Sequence, residues 1–215
     1  MNKSLILQEV CILRDGRPLI EVDHVIQAGE ILTVMGPSGV GKSTLLAFIT
    51  GTLPAAFAGM GYVILGGEDI TRKPPHARHI GILFQDDLLF PHMSVGANLA
   101  FGMPPGGNKS LRRARIDAGL RDVGLDGFSD RDPATLSGGQ KARVALMRML
   151  LSNPRALLLD EAFSRLDAEL RAQVRELVFR TAKERELPVL MVTHDAEDAK
   201  AAGGKIIELE SLSKA

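Results

Sequence analysis

The residues best suited to chemistry in this sequence form one short run, Gly36-Pro37-Ser38-Gly39-Val40-Gly41-Lys42-Ser43, with Thr44 following. It reads Gly, four residues, Gly-Lys-Ser, and it lies between an apolar run ending at Met35 and the apolar pair Leu45-Leu46. Glycines at these places let the backbone curl until several N–H groups face one anion, and a helix starting there adds its positive end. Lys42 carries a compact charge suited to the β- and γ-phosphates of a nucleotide, and the Ser43 hydroxyl suits Mg²⁺. The chemistry implied is the binding of a phosphorylated nucleotide.

A second element is Leu157-Leu158-Leu159-Asp160-Glu161. A buried strand of this kind delivers Asp160 at its C-terminal end, where ligands of open α/β sheets collect. Asp160 can hold the Mg²⁺ shell, and Glu161, one residue further, can act as general base on an attacking water.

These groups need a scaffold. The runs Ile31–Met35, Ala156–Leu159 and Val189–Val192 are short and strongly apolar, as strands covered on both faces of a parallel sheet are. Between the last two, Leu170, Val174, Leu177 and Val178 recur at helical spacing over Glu169–Arg185, which predicts a strand–helix–strand unit. The first 29 residues alternate and predict antiparallel strands turning near Asp15-Gly16. From 86 to 153 the pattern is mostly helical, with a loop at Pro104-Pro105-Gly106-Gly107-Asn108 and a basic helix from Ser110 to Gly119 whose Arg112, Arg113 and Arg115 read as a solvated face.

Composition narrows the class. Lys plus Arg and Asp plus Glu both number 26, a balance that argues against a chain built to grip nucleic acid. The single cysteine, Cys11, asks for no oxidising compartment. No apolar stretch reaches the ~18 residues of a membrane span, and Gln8-Glu9 interrupt the first apolar run too early for a signal peptide. A soluble, cytoplasmic chain is expected.

Further along stands Leu136-Ser137-Gly138-Gly139-Gln140, and with it the sequence resembles the ABC-type ATPases, the nucleotide-binding subunits of ATP-driven transporters. The resemblance covers nearly the whole chain, with motifs in the family's order. Gln85 matches the Q-loop. Ser137, Gly138, Gly139 and Gln140 match the signature. Asp160 and Glu161 match the acidic pair, Ser164-Arg165-Leu166-Asp167 the D-loop, and His194 the switch histidine. The resemblance implies an α/β fold: a P-loop NTPase core over 1–85 and 154–215, with an N-terminal antiparallel β subdomain and a helical insertion over 86–153. It implies ATP and Mg²⁺, with Glu161, His194 and Gln85 catalytic, and Ser43, Gln85 and Asp160 on the metal. It also implies a homodimer sandwiching two ATP molecules, each signature meeting the γ-phosphate held by the other subunit.

Leu88–Val95 resembles the matching stretch of bacterial importer ATPases for iron, thiamine, sulfate and polyamines. That implies docking to an integral-membrane permease at the inner face of the cell membrane, with a substrate-binding protein in the same system. The end at Ala215, without a further regulatory domain, is like the short thiamine-type form. A soluble ATPase of nucleic-acid repair or translation, and a lipoprotein-release or efflux ATPase, are the other readings. Balanced charge and the absence of a long heptad insertion weigh against the former, and Phe90-Pro91-His92 against the latter. Three positions depart from the family. Val10–Arg14 lacks the usual adenine-stacking aromatic, leaving Leu13 or Arg14 to hold the base; Ala162 replaces a common Pro; Arg165 replaces a common Ala.

Overall fold

A computed structural model describes residues 3–209. In chain order the elements begin β1 (Leu5–Arg14), β2 (Arg17–Ile26), β3 (Ile31–Met35), α1 (Lys42–Thr50), β4 (Phe57–Leu65), β5 (Glu68–Asp69) and β6 (Ile80–Phe84). Then come α2 (Val95–Gly102), α3 (Lys109–Asp122), α4 (Gly138–Leu150), β7 (Ala156–Asp160), α5 (Ala168–Glu184), β8 (Val189–Thr193), α6 (Ala196–Ala202) and β9 (Lys205–Glu208). Two compact units share these elements. One takes residues up to 82 with 155–161 and those from 179 on; the other takes 83–154 and 162–178.

The first unit holds an antiparallel sheet in the order β2-β1-β4-β5 and a five-stranded sheet in the order β6-β7-β8-β3-β9. In the second sheet β3 pairs parallel with β8 and β9, and β7 with β8. The β1–β2 hairpin turns at Asp15-Gly16, both at positive φ (52° and 75°), as a two-residue turn matching strand twist demands. One core joins Leu5, Leu7 and Ile12 of β1, Leu45, Leu46 and Ile49 of α1, and Leu32, Val34, Leu158 and Leu190 of the parallel sheet. Covered strands explain the uninterrupted apolar runs, and α1 is fixed on its apolar side by both sheets. β4 lacks clean alternation in sequence because Gly61 (φ 89°) fits against a bulge in β1: a Cβ there would sit 2.3 Å from the Glu9 carbonyl oxygen.

At the C-terminal end of α1 lies a buried arginine, Arg78, 5% exposed. Its guanidinium donates to the carbonyls of Phe48 (2.9 Å) and Ile49 (2.8 Å) in the last turn of α1, and to those of Lys73 (2.8 Å) and Thr71 (2.5 Å). Burial lowers its pKa, and the helix-end carbonyls and dipole offset that penalty.

The second unit is helical. Asn98, fully buried in α2, accepts from the Phe90 N–H (2.8 Å) and donates to the carbonyls of Phe90, Met93 and Ser94, so one side chain shapes the loop before its own helix. The basic face expected on α3 is only partly solvated. Arg112 reaches back to the carbonyls of Ala100 (3.0 Å), Pro104 and Gly106, closing the end of α2 and the Pro-rich loop, while Arg113 forks onto both oxygens of Asp130 (3.0 Å each) and also pairs with Asp117. Arg115 is exposed. The charge run hides these contacts because Arg112 is received by backbone oxygens and Arg113 in part by Asp130, outside the helix. No helix among the described residues is long and apolar enough to cross a membrane.

Replacing Arg78 by Met keeps the apolar stem but strips four carbonyls of their donor, and urea unfolding should show a loss of roughly 2–4 kcal/mol. Arg78→Lys should also destabilise, because one ammonium cannot reach all four oxygens. A change within about 0.5 kcal/mol, the range of ordinary surface substitutions, would show that the staple holds nothing.

Candidate nucleotide-binding site

The loop Gly36–Gly41 joins β3 to α1 in the first unit. Gly39 (φ 84°) and Gly41 (φ 106°) hold backbone conformations that side chains resist, and Gly41 is the N-cap of α1 with no side chain on the helix N–H groups. The first turn of α1 contains no acid. A helix start without a capping side chain or a competing carboxylate is suited to an anion. Pro37, Ser38 and Gly39 are exposed along the loop, Val40 is buried, and Ser43 and Thr44 lie on the first turn. Lys42, 5% exposed, folds over its own loop: its ammonium donates to the carbonyls of Gly36 (2.7 Å) and Pro37 (3.0 Å) and lies 3.7 Å from Glu161 Oε1.

Opposite the loop, β7 ends at Asp160 and Glu161, and β8 ends just before His194. Glu161 Oε1 is 3.2 Å from His194 Nδ1, so one carboxylate oxygen lies beside both a lysine and a histidine. Glu161 sits at φ 47°, a left-handed conformation unusual for this residue type, and its N–H donates to the Val192 carbonyl (3.0 Å). Parallel pairing of β7 with β8 is what brings Asp160, Glu161 and His194 to the same sheet end.

Ser43 Oγ donates to Asp160 Oδ1 at 3.3 Å. A hydroxyl and a carboxylate side by side are the hard oxygen donors Mg²⁺ takes when phosphates supply the rest of its shell. Among the described residues no group of three or more His, Cys, Asp or Glu gathers as a metal cage.

Gln85, Ser137, Gly138, Gly139 and Gln140 belong to the second unit. Gln85 is exposed directly after β6. Ser137 caps α4 in a reciprocal box: its Oγ accepts from the Gln140 N–H (3.3 Å), and Gln140 Oε1 accepts from the Ser137 N–H (3.0 Å). The two glycines differ. Nothing lies within 4 Å of where a Gly138 Cβ would be, whereas one on Gly139 would sit 2.3 Å from Leu170 of α5. Gly138 keeps a surface open to approach; Gly139 lets two helices close.

Of the residues left to hold a base, Leu13 is half-buried and Arg14 exposed, with Arg14 Nε 3.8 Å from Asp15. Leu19 was not legible as a site residue, yet it packs on the phosphate loop, 3.1 Å from a Cβ built on Gly41. An apolar residue near a strand start carries no sequence signal of that contact.

A family model described as "ABC transporter" matches residues 19–164. The chain is 47% identical over 189 residues to the uncharacterized ABC transporter ATP-binding protein YnjD of Escherichia coli, covering 88% of this chain and 87% of that one. It is 45% identical over 175 residues to the thiamine import ATP-binding protein ThiQ of Salmonella choleraesuis, covering 81% and 73%. It is 40% identical over 191 residues to the Fe(3+) ions import ATP-binding protein FbpC of Agrobacterium fabrum, covering 88% and 53%.

Burial, joined by the charge of Glu161, raises the Asp160 carboxyl above the ordinary carboxylate range, against the pull of the Ser43 hydrogen bond and Lys42. A carboxyl whose folded pKa is raised costs stability when ionised, and that cost disappears as pH falls through the folded pKa toward the unfolded value. Asp160→Asn should therefore raise the melting temperature at pH 7 without nucleotide, and the gain should shrink as the buffer is taken to about pH 4. A lower melting temperature at pH 7 would mean that the attraction to Lys42 outweighs burial.

Proposed function

Because this chain belongs to the ABC transporter family, whose motifs it carries in order, we propose that it is the ATP-hydrolysing subunit of a bacterial importer, acting as a homodimer on a membrane permease. The observation that carries this reading is the phosphate loop with Lys42 set against the Glu161–His194 pair at the end of the parallel sheet.

ATP places its β- and γ-phosphates on the loop N–H groups and the start of α1, and Lys42 exchanges the Gly36 and Pro37 carbonyls for phosphate oxygens. Ser43, Asp160 and Gln85 would hold Mg²⁺, which when bound neutralises charge on the phosphate oxygens. Glu161 takes a proton from the attacking water as its oxygen bonds to the γ-phosphorus and the bond to the β–γ bridging oxygen breaks, ADP leaving with the electron pair. His194 orients the Glu161 carboxylate through Nδ1 and hydrogen-bonds the γ-phosphate. The second copy's Ser137, Gly138, Gly139 and Gln140 close over that phosphate, which makes two shared sites per dimer.

For the permease, the supporting feature is an apolar surface on the second unit. Phe101 (64% exposed) meets the Phe90 ring edge-on at 4.6 Å, and Leu88, two residues before Phe90, is 56% exposed. Apolar side chains exposed together mark contact surfaces more often than chance. The relatives named for thiamine and Fe(3+) import favour import over efflux, and a substrate-binding protein would complete such a system.

Glu161→Gln keeps shape and removes the base, so hydrolysis should fall by about 10² or more while ATP still binds. With nothing to consume the ligand, the closed state accumulates, and size-exclusion chromatography with ATP and Mg²⁺ should show a dimer. Adding Ser137→Arg should return it to monomer. Normal hydrolysis by Glu161→Gln, with no dimer, would refute both the base and the shared site.

A further inference from the structure

Arg165, where the family commonly has Ala, is ion-paired with Asp86, the residue directly after Gln85. Both belong to the second unit and lie far apart in sequence. Neither end of the pair is loose. On one side, Phe163 is buried to 1% exposure, its carbonyl accepts from Arg171 Nε (3.0 Å) and the Leu166 N–H (3.2 Å), and Asp167 Oδ1 caps α5 at the Leu170 N–H (3.0 Å). On the other, Arg148 near the end of α4 donates to the carbonyls of Leu88 (2.8 Å) and Asp87 (3.0 Å), holding Leu88 at φ 45°.

The segment after Gln85 is thus gripped twice, at its carbonyls by Arg148 and at the Asp86 side chain by Arg165, while β6 fixes the chain before it. Arg148 acts on the carbonyls of Asp87 and Leu88, whereas Arg165 acts on Asp86, the residue next to Gln85. We propose that Arg165 is a positioning residue for Gln85: its pairing with Asp86 ties the Q-loop to the D-loop of the same subunit and narrows the orientations open to the Gln85 amide. This rests on the hydrolytic role given to Gln85 above. The pair is more than half exposed on both partners, so its effect is modest and is screened by salt.

The test uses the full chain with Arg165→Ala, Asp86→Ala, both together, Arg165→Lys, and the swapped pair Arg165→Asp/Asp86→Arg. Readouts are kcat and KM for ATP, and amide hydrogen exchange over residues 84–88 without nucleotide. Each alanine variant should lower kcat about two- to fivefold at low salt with KM unchanged, and should speed exchange in that segment. The double variant should be no slower than either single, and Arg165→Lys and the swapped pair should recover most of both readouts. A swapped pair as slow as the single variants, or single variants with unaltered exchange, would overturn the proposal. Gln85→Ala separates the two levels. If it slows hydrolysis while Arg165→Ala does not, the tie alone is wrong; if it leaves hydrolysis intact, the role of Gln85 falls and the proposal with it.

Discussion

A lysine ammonium shut away from water must be surrounded by oxygens, and most of the first unit arranges itself around that demand. Lys42 meets it with two carbonyls of its own loop and the nearby Glu161 carboxylate. The carbonyls are available because glycines bend the loop; the carboxylate is available because a parallel sheet ends its strands together. Replacing carbonyl contacts with phosphate oxygens is then an exchange of like for like, with the charge already desolvated. Burial beside that cluster, with the charge of Glu161, raises the Asp160 carboxyl, so its ionised form is costly there despite Lys42 nearby.

Arginines do much of the tying in this chain, which has no tryptophan and only 4% aromatic residues. Arg78 closes the end of α1, Arg112 the end of α2, and Arg148 the loop after Gln85, each by donating to two or more backbone carbonyls. A planar fork with five donors suits this task, since helix ends present several carbonyls close together. The consequence for the site is rigidity at a distance. The start of α1 offers its N–H groups to an anion, while Arg78 meets the opposite end of the same dipole.

The sequence makes the strands of the parallel sheet legible because burial on both faces leaves mostly apolar runs, as in the strands Ile31–Met35, Ala156–Asp160 and Val189–Thr193, where Thr33 is the one interior polar residue. The hairpin at Asp15-Gly16 is legible from turn chemistry. β4 is not, because Gly59 and Gly61 interrupt its alternation where Phe48 and a bulge approach the backbone. α2 and β9 are too short to show a period. In the site, the motif residues announce themselves through spacing. The contacts among them, such as Glu161 with His194 and Ser43 with Asp160, depend on strand order. Gly139 against Leu170, Leu19 against Gly41 and Arg165 against Asp86 join residues distant in the chain, and no local pattern encodes them. Arg165 stands out in sequence only as a departure; its partner is what structure adds.

The left-handed backbone at Glu161 has a consequence for how this chain changes over time. A non-glycine residue there carries strain of order 1 kcal/mol, which Gly or Asn would relieve. Random substitution at that position is therefore not neutral in the absence of catalysis: the relaxed alternatives are also those without a carboxylate. Losing Glu161 would relieve that strain but would also take a carboxylate away from buried Lys42 and from His194, so the two effects on folding oppose each other. The position thus carries two opposed local demands, a backbone that favours glycine and a neighbourhood of cationic groups that favours a carboxylate.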